Sequence, residues 1–325
     1  MSKAKHNVIS YKKLDIKCIN LKPVEDNERI PSQKLSYPAY NDPKKGEAHF
    51  NIQTPEIKLD NYGIPNEGPY YQTDKARAFI KIPLGVNENT DNETKEERSK
   101  REKELLRFKK ALEQIDEYVV ENKNTIFGSE KAAKKFTYQP IVRDAYVPEN
   151  DSDDSSDEEN DKPVISRPQY MKVKIPLDYG TNEVNLEVYK YNTEGTTDFE
   201  NDGKYSKIEG ITHIDELKKY VRYMSTVKLV LHACKLWASK QPSAGDNKKK
   251  YGIVFKVRRV VVKLRDRVVV DDEDSDVLVE SSDEDEELEV KHFVEKTAES
   301  ASSDESEEDV VKKKTKKTRS KKSKN

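Results

Sequence analysis

The chain has little of what catalytic, metal-binding and secreted proteins depend on. Its two cysteines, Cys18 and Cys234, are far apart in sequence and offer neither a CxxC metal site nor a disulfide framework, which is typical of a reducing compartment. The phosphate-binding patterns GxGxxG and GxxxxGK followed by Ser or Thr do not occur, and neither do HExxH or GxSxG. We therefore expect no enzymatic activity, no cofactor and no metal site.

A long apolar run is also missing. No stretch approaches the roughly 18 apolar residues that a membrane-spanning helix needs. The N-terminal residues MSKAKHNVISYKK contain no apolar core of a secretion signal. These features predict a soluble intracellular protein with no membrane partner.

Charge is abundant, and its two signs are separated along the chain. Charged residues make up 38% of the chain and hydrophobic residues only 33%. Residues 162–270 hold 22 basic and 12 acidic side chains, whereas residues 271–310 hold 19 acidic and two basic ones. Residues 151–161 add seven acids, and residues 311–325 add nine bases. A basic core between acidic segments predicts contact with nucleic acid.

The most informative stretch is YGIVFKVRRVVVKL, residues 251–264. Its density of Val, Ile and Phe predicts a β-strand. The apolar alternation breaks near Arg258, which predicts a bulge or a change of register there. Because unpaired charges are costly to bury, some of the cations must line a surface or a groove. The simpler alternative is a solvated edge strand that its charges protect from aggregation.

Periodicity elsewhere predicts a β-rich core with two helices. Apolar residues at steps of three and four, from Leu105 to Val119, predict a long helix over residues 93–121. A capping-box pattern of Thr212 and Asp215 predicts the start of a short second helix. Alternating patterns predict strands in segments 8–21, 48–59, 77–85, 169–177, 182–191 and 225–239. The polar residues 22–47, punctuated by prolines, are predicted to be a loop.

Composition divides the chain into four parts. They are residues 1–148, the first half of a β-rich core with the long helix; 149–163, an acidic linker; 164–270, the basic second half of the same core; and 271–325, a disordered tail, first acidic and then basic. Strands on both sides of the linker are expected to pair in one sheet system.

Cations interleaved with aromatic residues suit single-stranded nucleic acid, because bases stack on rings while Lys and Arg follow the phosphates. The candidate cations are Lys172, Lys174, Lys248, Lys249, Lys250, Lys256, Arg258, Arg259, Lys263 and Arg265. The candidate stacking residues are Tyr70, Tyr71, Trp237 and Tyr251, with Phe79, Tyr170, Tyr189, Tyr191 and Phe255 as further aromatics. We expect fewer than half of these aromatic residues to bind, because many will belong to the core.

Five segments carry a resemblance to a known family. They are FNIQTPEIKLDNYGIP with RAFIKIPL, RFKKALEQIDEYVVEN, RPQYMKVKIPL and YGIVFKVRRVVV, and they span roughly residues 48–265. In this order they resemble the single-stranded DNA-binding proteins of nucleocytoplasmic large DNA viruses, such as that of African swine fever virus. The resemblance implies an oligonucleotide-binding (OB) barrel but maps no individual binding residue. The charged tail after Val270 departs from that relative.

The expected fold is therefore α+β and β-rich, an OB-like barrel with one long and one short helix and a disordered charged C-terminal tail. The expected function is sequence-tolerant binding of single-stranded DNA, or RNA, in viral DNA replication, with replication proteins as partners of the acidic tail. The expected location is the host cytoplasm (the virus factory), the nucleus or the virion. Two alternatives remain: a non-enzymatic virion or core structural protein that packages nucleic acid through its basic face, and an acidic-tailed chaperone for basic proteins.

Overall fold

The computed structural model describes residues 8–86, 94–145, 167–191, 205–242 and 247–263, and most of its regular elements are strands. The strands are β1 Val8–Ser10, β2 Ile19–Asn20, β3 Glu25–Asp26, β4 Gln33–Ser36, β5 Ala39–Asp42, β6 Gly46–His49, β7 Asn51–Lys58, β8 Phe79–Pro83, β9 Phe136–Tyr138, β10 Val142–Arg143, β11 Tyr170–Lys174, β12 Glu187–Tyr191, β13 Tyr205–Ile208, β14 Thr226–Ser239 and β15 Lys249–Lys263. The helices are α1 Asp74–Arg77, α2 Lys95–Glu121, α3 Lys123–Phe127, α4 Glu130–Ala133 and α5 Ile214–Lys218, with 3-10 helices at Tyr11–Lys13 and Ile16–Cys18. The predicted strand-rich α+β class is confirmed. The predicted linker at 149–163, the predicted tail at 271–325 and Arg265 lie outside the described residues.

Twelve strands form one sheet around the antiparallel hairpin of β14 and β15. On the edge that faces away from β15, β14 pairs first with β7 and then with β4. On the edge that faces away from β14, β15 pairs in turn with β9, β11 and β12. The other three strands, β2, β5 and β6, form a second small sheet. Strands that precede and follow the acidic linker thus pair in one sheet, as the sequence predicted.

The long helix α2 contributes the largest helical part of the core. It begins with a capping box in which Thr94 and Glu97 bind each other's backbone N–H groups. The apolar residues that predicted it, including Phe108 and Leu112, are fully buried in the same cluster as the sheet residues. Burial of each such side chain is worth about 1.5–3 kcal/mol. The predicted helix at 93–121 is confirmed within two residues at its start.

Two predictions for the N-terminal region were wrong. Residues 8–21 are not one strand, because Ser10 and Asp15 side chains accept hydrogen bonds from the N–H groups of Lys12 and Lys17 and form turns instead. Residues 22–47 are not simply a loop, since they contain β3, β4 and β5. These short strands form because β14 and β2, which lie elsewhere in the chain, supply their hydrogen-bonding partners.

The helix predictions also need correction. The short helix exists as α5, but its N-cap is His213, and Glu216 accepts the hydrogen bonds from the N–H groups of Thr212 and His213. Asp215 instead binds the buried Arg77 of α1, with 2.6 Å between Nη2 and Oδ2. The short helices α1, α3 and α4 were not predicted, because four or five residues are too few to display a helical period.

Candidate nucleic-acid interface

The β14–β15 hairpin has one apolar and one cationic face. The inner face, which packs into the core, consists of fully buried residues: Val227, Leu229, Leu231, Val257, Val260 and Val262. The opposite face, which we call the outer face, carries Lys228, His232, Lys235 and Trp237 from β14 and Lys256, Arg258, Arg259 and Lys263 from β15. The outer face is therefore the part of this hairpin that can meet an anionic partner.

A bulge increases the number of cations on the outer face. Val230 lies opposite Arg259 and the next residue of β14 lies opposite Val257, so Arg258 is an extra residue on β15. The two consecutive arginines both remain accessible, and the valines beyond them return to the core. The bulge predicted near Arg258 is confirmed. A second bulge makes Cys234 an extra residue on β14, and the next residue, Lys235, also lies on the outer face.

The outer face continues onto the neighbouring strands. One row of opposed residues crosses five strands: Phe79 of β8, Lys174 of β11, Lys256 of β15, His232 of β14 and Asn51 of β7. Adjacent strands lie about 4.8 Å apart, so the row is roughly 19 Å long. Lys174 and Lys256, from separate parts of the chain, thus lie side by side next to His232, whereas Phe79 and Asn51 at the two ends of the row are buried.

His232 lies in the middle of this row. Its ring makes an edge-to-face contact with His49, at 5.3 Å between centroids, and its Nδ1 lies 3.3 Å from the Phe50 carbonyl oxygen. Burial lowers the pKa of His232, and the charges of Arg258 and Lys256 lower it further. The imidazole is therefore neutral near pH 7, and it offers hydrogen bonding rather than charge.

At one end of the outer face, aromatic rings lie beside Arg259. The guanidinium of Arg259 lies 5.1 Å from the centre of the Tyr189 ring and 2.7 Å from a carboxylate oxygen of Glu187. Both charged side chains are about half exposed, so this ion pair contributes little to stability. Tyr191 and Tyr205 contact each other edge to face at 5.5 Å, and Tyr191 is 40% exposed. These tyrosines are the aromatic rings of the outer face that are best placed for stacking.

At the other end, where β8 pairs with β11, four cations converge. We call Lys81, Arg143, Arg167 and Lys172 the Lys81 cluster. Lys81 lies directly opposite Lys172, whose ammonium is 3.9 Å from the centre of the Phe79 ring. Burial, and then the charges of the other three cations, lower the pKa of Lys81 to about 7. Three cations thus lie close to a lysine that is itself buried.

The structure places the predicted site residues in three groups. Lys172, Lys174, Lys256, Arg258, Arg259, Lys263 and Trp237 lie on the outer face. Tyr70 and Tyr71 lie half-buried in a turn next to it, with the Tyr71 ring 5.6 Å from that of Phe79, and Lys248–Lys250 lie at the start of β15. Lys249 contacts the ring of Phe136 rather than the outer face.

Tyr251 is the candidate that the structure contradicts. Its side chain is fully buried among Phe127, Phe136 and Tyr138, so the ring cannot stack on a base. Phe79, Tyr170 and Phe255 are likewise buried. Tyr170 and Phe255 pack against aromatic residues that are distant in sequence, Tyr62 and Phe50, whereas Phe79 packs against the nearby Tyr71. The expectation that many of the aromatic candidates belong to the core is confirmed.

Sequence reasoning missed several residues of the candidate interface. They are Lys81, Arg143, Arg167, Lys207, Lys228, Lys235 and Tyr205. The alternation in FIKIP contained a signal for Lys81, because its position in a strand between Ile80 and Ile82 puts it on the face opposite the core. Arg143 and Arg167 carried no such signal, since their position depends on β10 and β11 pairing across a segment of more than twenty residues.

Comparison with known proteins gives a distant relative. No family model matches the chain. Over 282 residues, 80% of this chain, it is 24% identical to the uncharacterized protein R505 of Acanthamoeba polyphaga mimivirus. The chain is thus similar to a giant-virus protein. The match covers 62% of that relative, so the chain spans about three fifths of its length. Within the described residues, no helix is long and apolar enough to span a bilayer.

Proposed function

We propose that this protein is a non-enzymatic, sequence-tolerant single-stranded DNA-binding protein of viral DNA replication, and that the outer face is its binding surface. The observation that supports this proposal is the continuity of cations over adjacent strands of one sheet, from Lys172 and Lys174 through Lys256 to Arg258 and Arg259. Like charges on neighbouring strands oppose folding, and the phosphates of a bound strand relieve that repulsion while counterions are released.

Aromatic rings at the edges of the surface favour a single strand over a duplex. Tyr191, Tyr205 and Trp237 present partly exposed rings, and each base that stacks on such a ring contributes about 1–3 kcal/mol. Duplex bases are already stacked on one another and are not free to do this. Lysine and arginine contact the phosphate backbone, and tyrosine stacks on the faces of the bases. Neither contact distinguishes one base from another, so we expect little sequence preference.

The OB-like barrel is part of the same proposal. Both long strands change partners along their length: β14 from β7 to β4, and β15 from β9 to β11 to β12. Bulged strands that change partners are how small barrels and orthogonal sheets turn their corners. These features support a curved, barrel-like sheet, and an experimental structure with bound oligonucleotide would test it directly.

A titration of matched single-stranded and duplex DNA at two salt concentrations tests the function. We expect tighter binding of the single strand, and an affinity that falls with log salt at a slope of about −0.7 per phosphate contacted. Equal affinity for both forms, together with a high copy number in purified particles, would instead favour the packaging role. Binding of basic proteins without binding of either DNA form would favour the chaperone role.

A further inference from the structure

The Lys81 cluster is an unusual arrangement because its members come from separate segments. Lys81 belongs to β8, Arg143 to β10 and Lys172 to β11, while Arg167 precedes β11. The backbone pairing holds them together, since Lys172 lies opposite Lys81 and Arg143 lies opposite Tyr170. A positive site of this kind is built by the tertiary fold and is not a chance run of basic residues.

Aromatic rings enclose the ammonium of Lys81. Its Nζ lies 5.1 Å from the centre of the Tyr170 ring and 6.0 Å from that of Tyr62, and the Lys81 side chain is only 8% exposed. Burial raises the pKa of Tyr62 to about 12, and its hydroxyl donates a hydrogen bond to the Pro168 carbonyl. The rings therefore form rigid, low-dielectric walls on which a cation is held by its attraction to the ring faces.

The guanidinium of Arg143 can donate a further hydrogen bond. Its side chain bonds the Tyr170 hydroxyl, but its Nε is buried and has no hydrogen-bond partner among the described residues. A buried donor without a partner is destabilising, because it has lost its hydrogen bonds to water. The carboxylate next to it in sequence, Asp144, accepts a hydrogen bond from Gln169 at 2.6 Å. An oxyanion that enters the cluster can satisfy Arg143.

We propose that the Lys81 cluster is a subsite for one backbone phosphate of the bound single strand. The proposal rests on the proposed function, and it deepens it by assigning a specific contact. A phosphate suits the cluster because it offers several oxygens to a forked guanidinium and to ammonium groups at the same time. The subsite is continuous with the rest of the outer face, since Lys172 is two residues from Lys174, which lies opposite Lys256.

Phosphate binding at this subsite is coupled to protonation of Lys81. In the free protein, burial and the charges of Lys172, Arg167 and Arg143 hold the pKa of Lys81 near 7. An adjacent phosphate favours the charged ammonium and raises that pKa, so the neutral amine takes up a proton from solvent on binding. The tyrosines that face it, Tyr62 and Tyr170, have raised pKa values and remain protonated over this range.

Calorimetry of the full chain with a short oligothymidylate measures this coupling. At pH 8, in two buffers of different ionisation enthalpy, we expect uptake of roughly one proton per complex, falling towards zero at pH 6. The affinity falls by up to about ten-fold per pH unit above pH 7. Lys81→Arg should keep binding but lose the proton uptake, since arginine stays charged.

Two further variants separate this contact from general effects. Lys81→Met should weaken binding and abolish uptake without lowering the thermal stability of the free protein, because a buried polar amine is replaced by an apolar side chain of similar length. Lys228→Met, on β14 of the same outer face, should weaken binding but preserve the uptake. Wild-type binding with no proton uptake, together with unchanged affinity in Lys81→Met, would overturn the subsite and leave the proposed function intact.

A titration with inorganic phosphate completes the test, and it also covers the case in which the oligothymidylate does not bind. If the oligothymidylate does not bind, the proposed function and this subsite both fail. If inorganic phosphate alone then binds, and Lys81→Met abolishes that binding, the cluster serves a small phosphate ligand, and the assignment to a nucleic-acid backbone is overturned. Weak, competitive binding of phosphate beside tight binding of the oligonucleotide supports the subsite.

Discussion

At the scale of single residues, Arg258 and Arg259 show how a bulge keeps two consecutive charged residues accessible on one strand. The bulge keeps both side chains out of the core, next to Lys256 and the Tyr189 ring. We predict that the double variant Arg258→Glu and Arg259→Glu weakens single-strand binding and lowers the salt slope by about 0.7 for each phosphate that the variant no longer binds. Fluorescence anisotropy at several salt concentrations measures both quantities.

The matched control for this variant lies on the exposed side of α2. Reversal of Lys103 and Lys110, which are both exposed, changes the net charge by the same amount at residues that do not belong to the outer face. We expect it to change the affinity much less. Circular dichroism checks that both double variants are folded. Equal weakening in the two variants would show that total charge, rather than the outer face, governs binding.

At the scale of elements, the bulge at Arg258 sets which residues β15 buries. Val257 and Val260 are three residues apart and would face opposite sides of a regular strand, but the extra residue Arg258 lets both enter the core. We predict that deletion of Arg258 keeps Val260 and Val262 in the core, because Arg259 then follows Val257 in regular alternation, and that it changes the free energy of unfolding by only about 1 kcal/mol. Urea denaturation compares this deletion with wild type.

The substitution Arg258→Ala is the control, because it removes the charge but keeps the extra backbone residue. We expect it to change the free energy of unfolding by less than about 1 kcal/mol. If the deletion is less stable than the substitution by several kcal/mol, the valines after Arg258 have left the core, and the register described for β14 and β15 is wrong, since each buried valine contributes about 1.5–3 kcal/mol.

At the scale of the whole molecule, the charge of the C-terminal segment opposes that of the core. Residues 271–310 hold 19 acidic and two basic side chains, and they are covalently attached to a region with ten more bases than acids. Short flexible tethers give effective concentrations in the millimolar range. We predict that truncation after Val270 tightens single-strand binding, most clearly at about 50 mM salt, because salt screens the competition between tail and phosphates.

The terminal basic residues need their own control. A second truncation, after Val311, removes only the lysine-rich end and keeps the acidic part. We expect it to weaken binding slightly or to leave it unchanged, since it removes nine bases. If truncation after Val270 leaves the affinity unchanged at low salt, the acidic segment is not an internal competitor, and docking of partner proteins becomes its better explanation.

The sequence alone determined the features that depend on neighbouring residues. Helical spacing located α2, because its apolar residues lie on one face whatever they pack against. Dense β-branched residues located β14 and β15, and the broken alternation located the bulge at Arg258. The separation of charge along the chain also needed no structure, since it is a property of composition.

Only the tertiary structure decided which side chains meet. The sequence could not show that Tyr251 is enclosed by three aromatic rings, or that β4 would pair with the end of β14. It could not bring Arg143 and Arg167 to Lys81, because that convergence depends on strands pairing over long separations in the chain. Local pattern specifies an element and its faces, whereas long-range pairing determines which faces join into one surface.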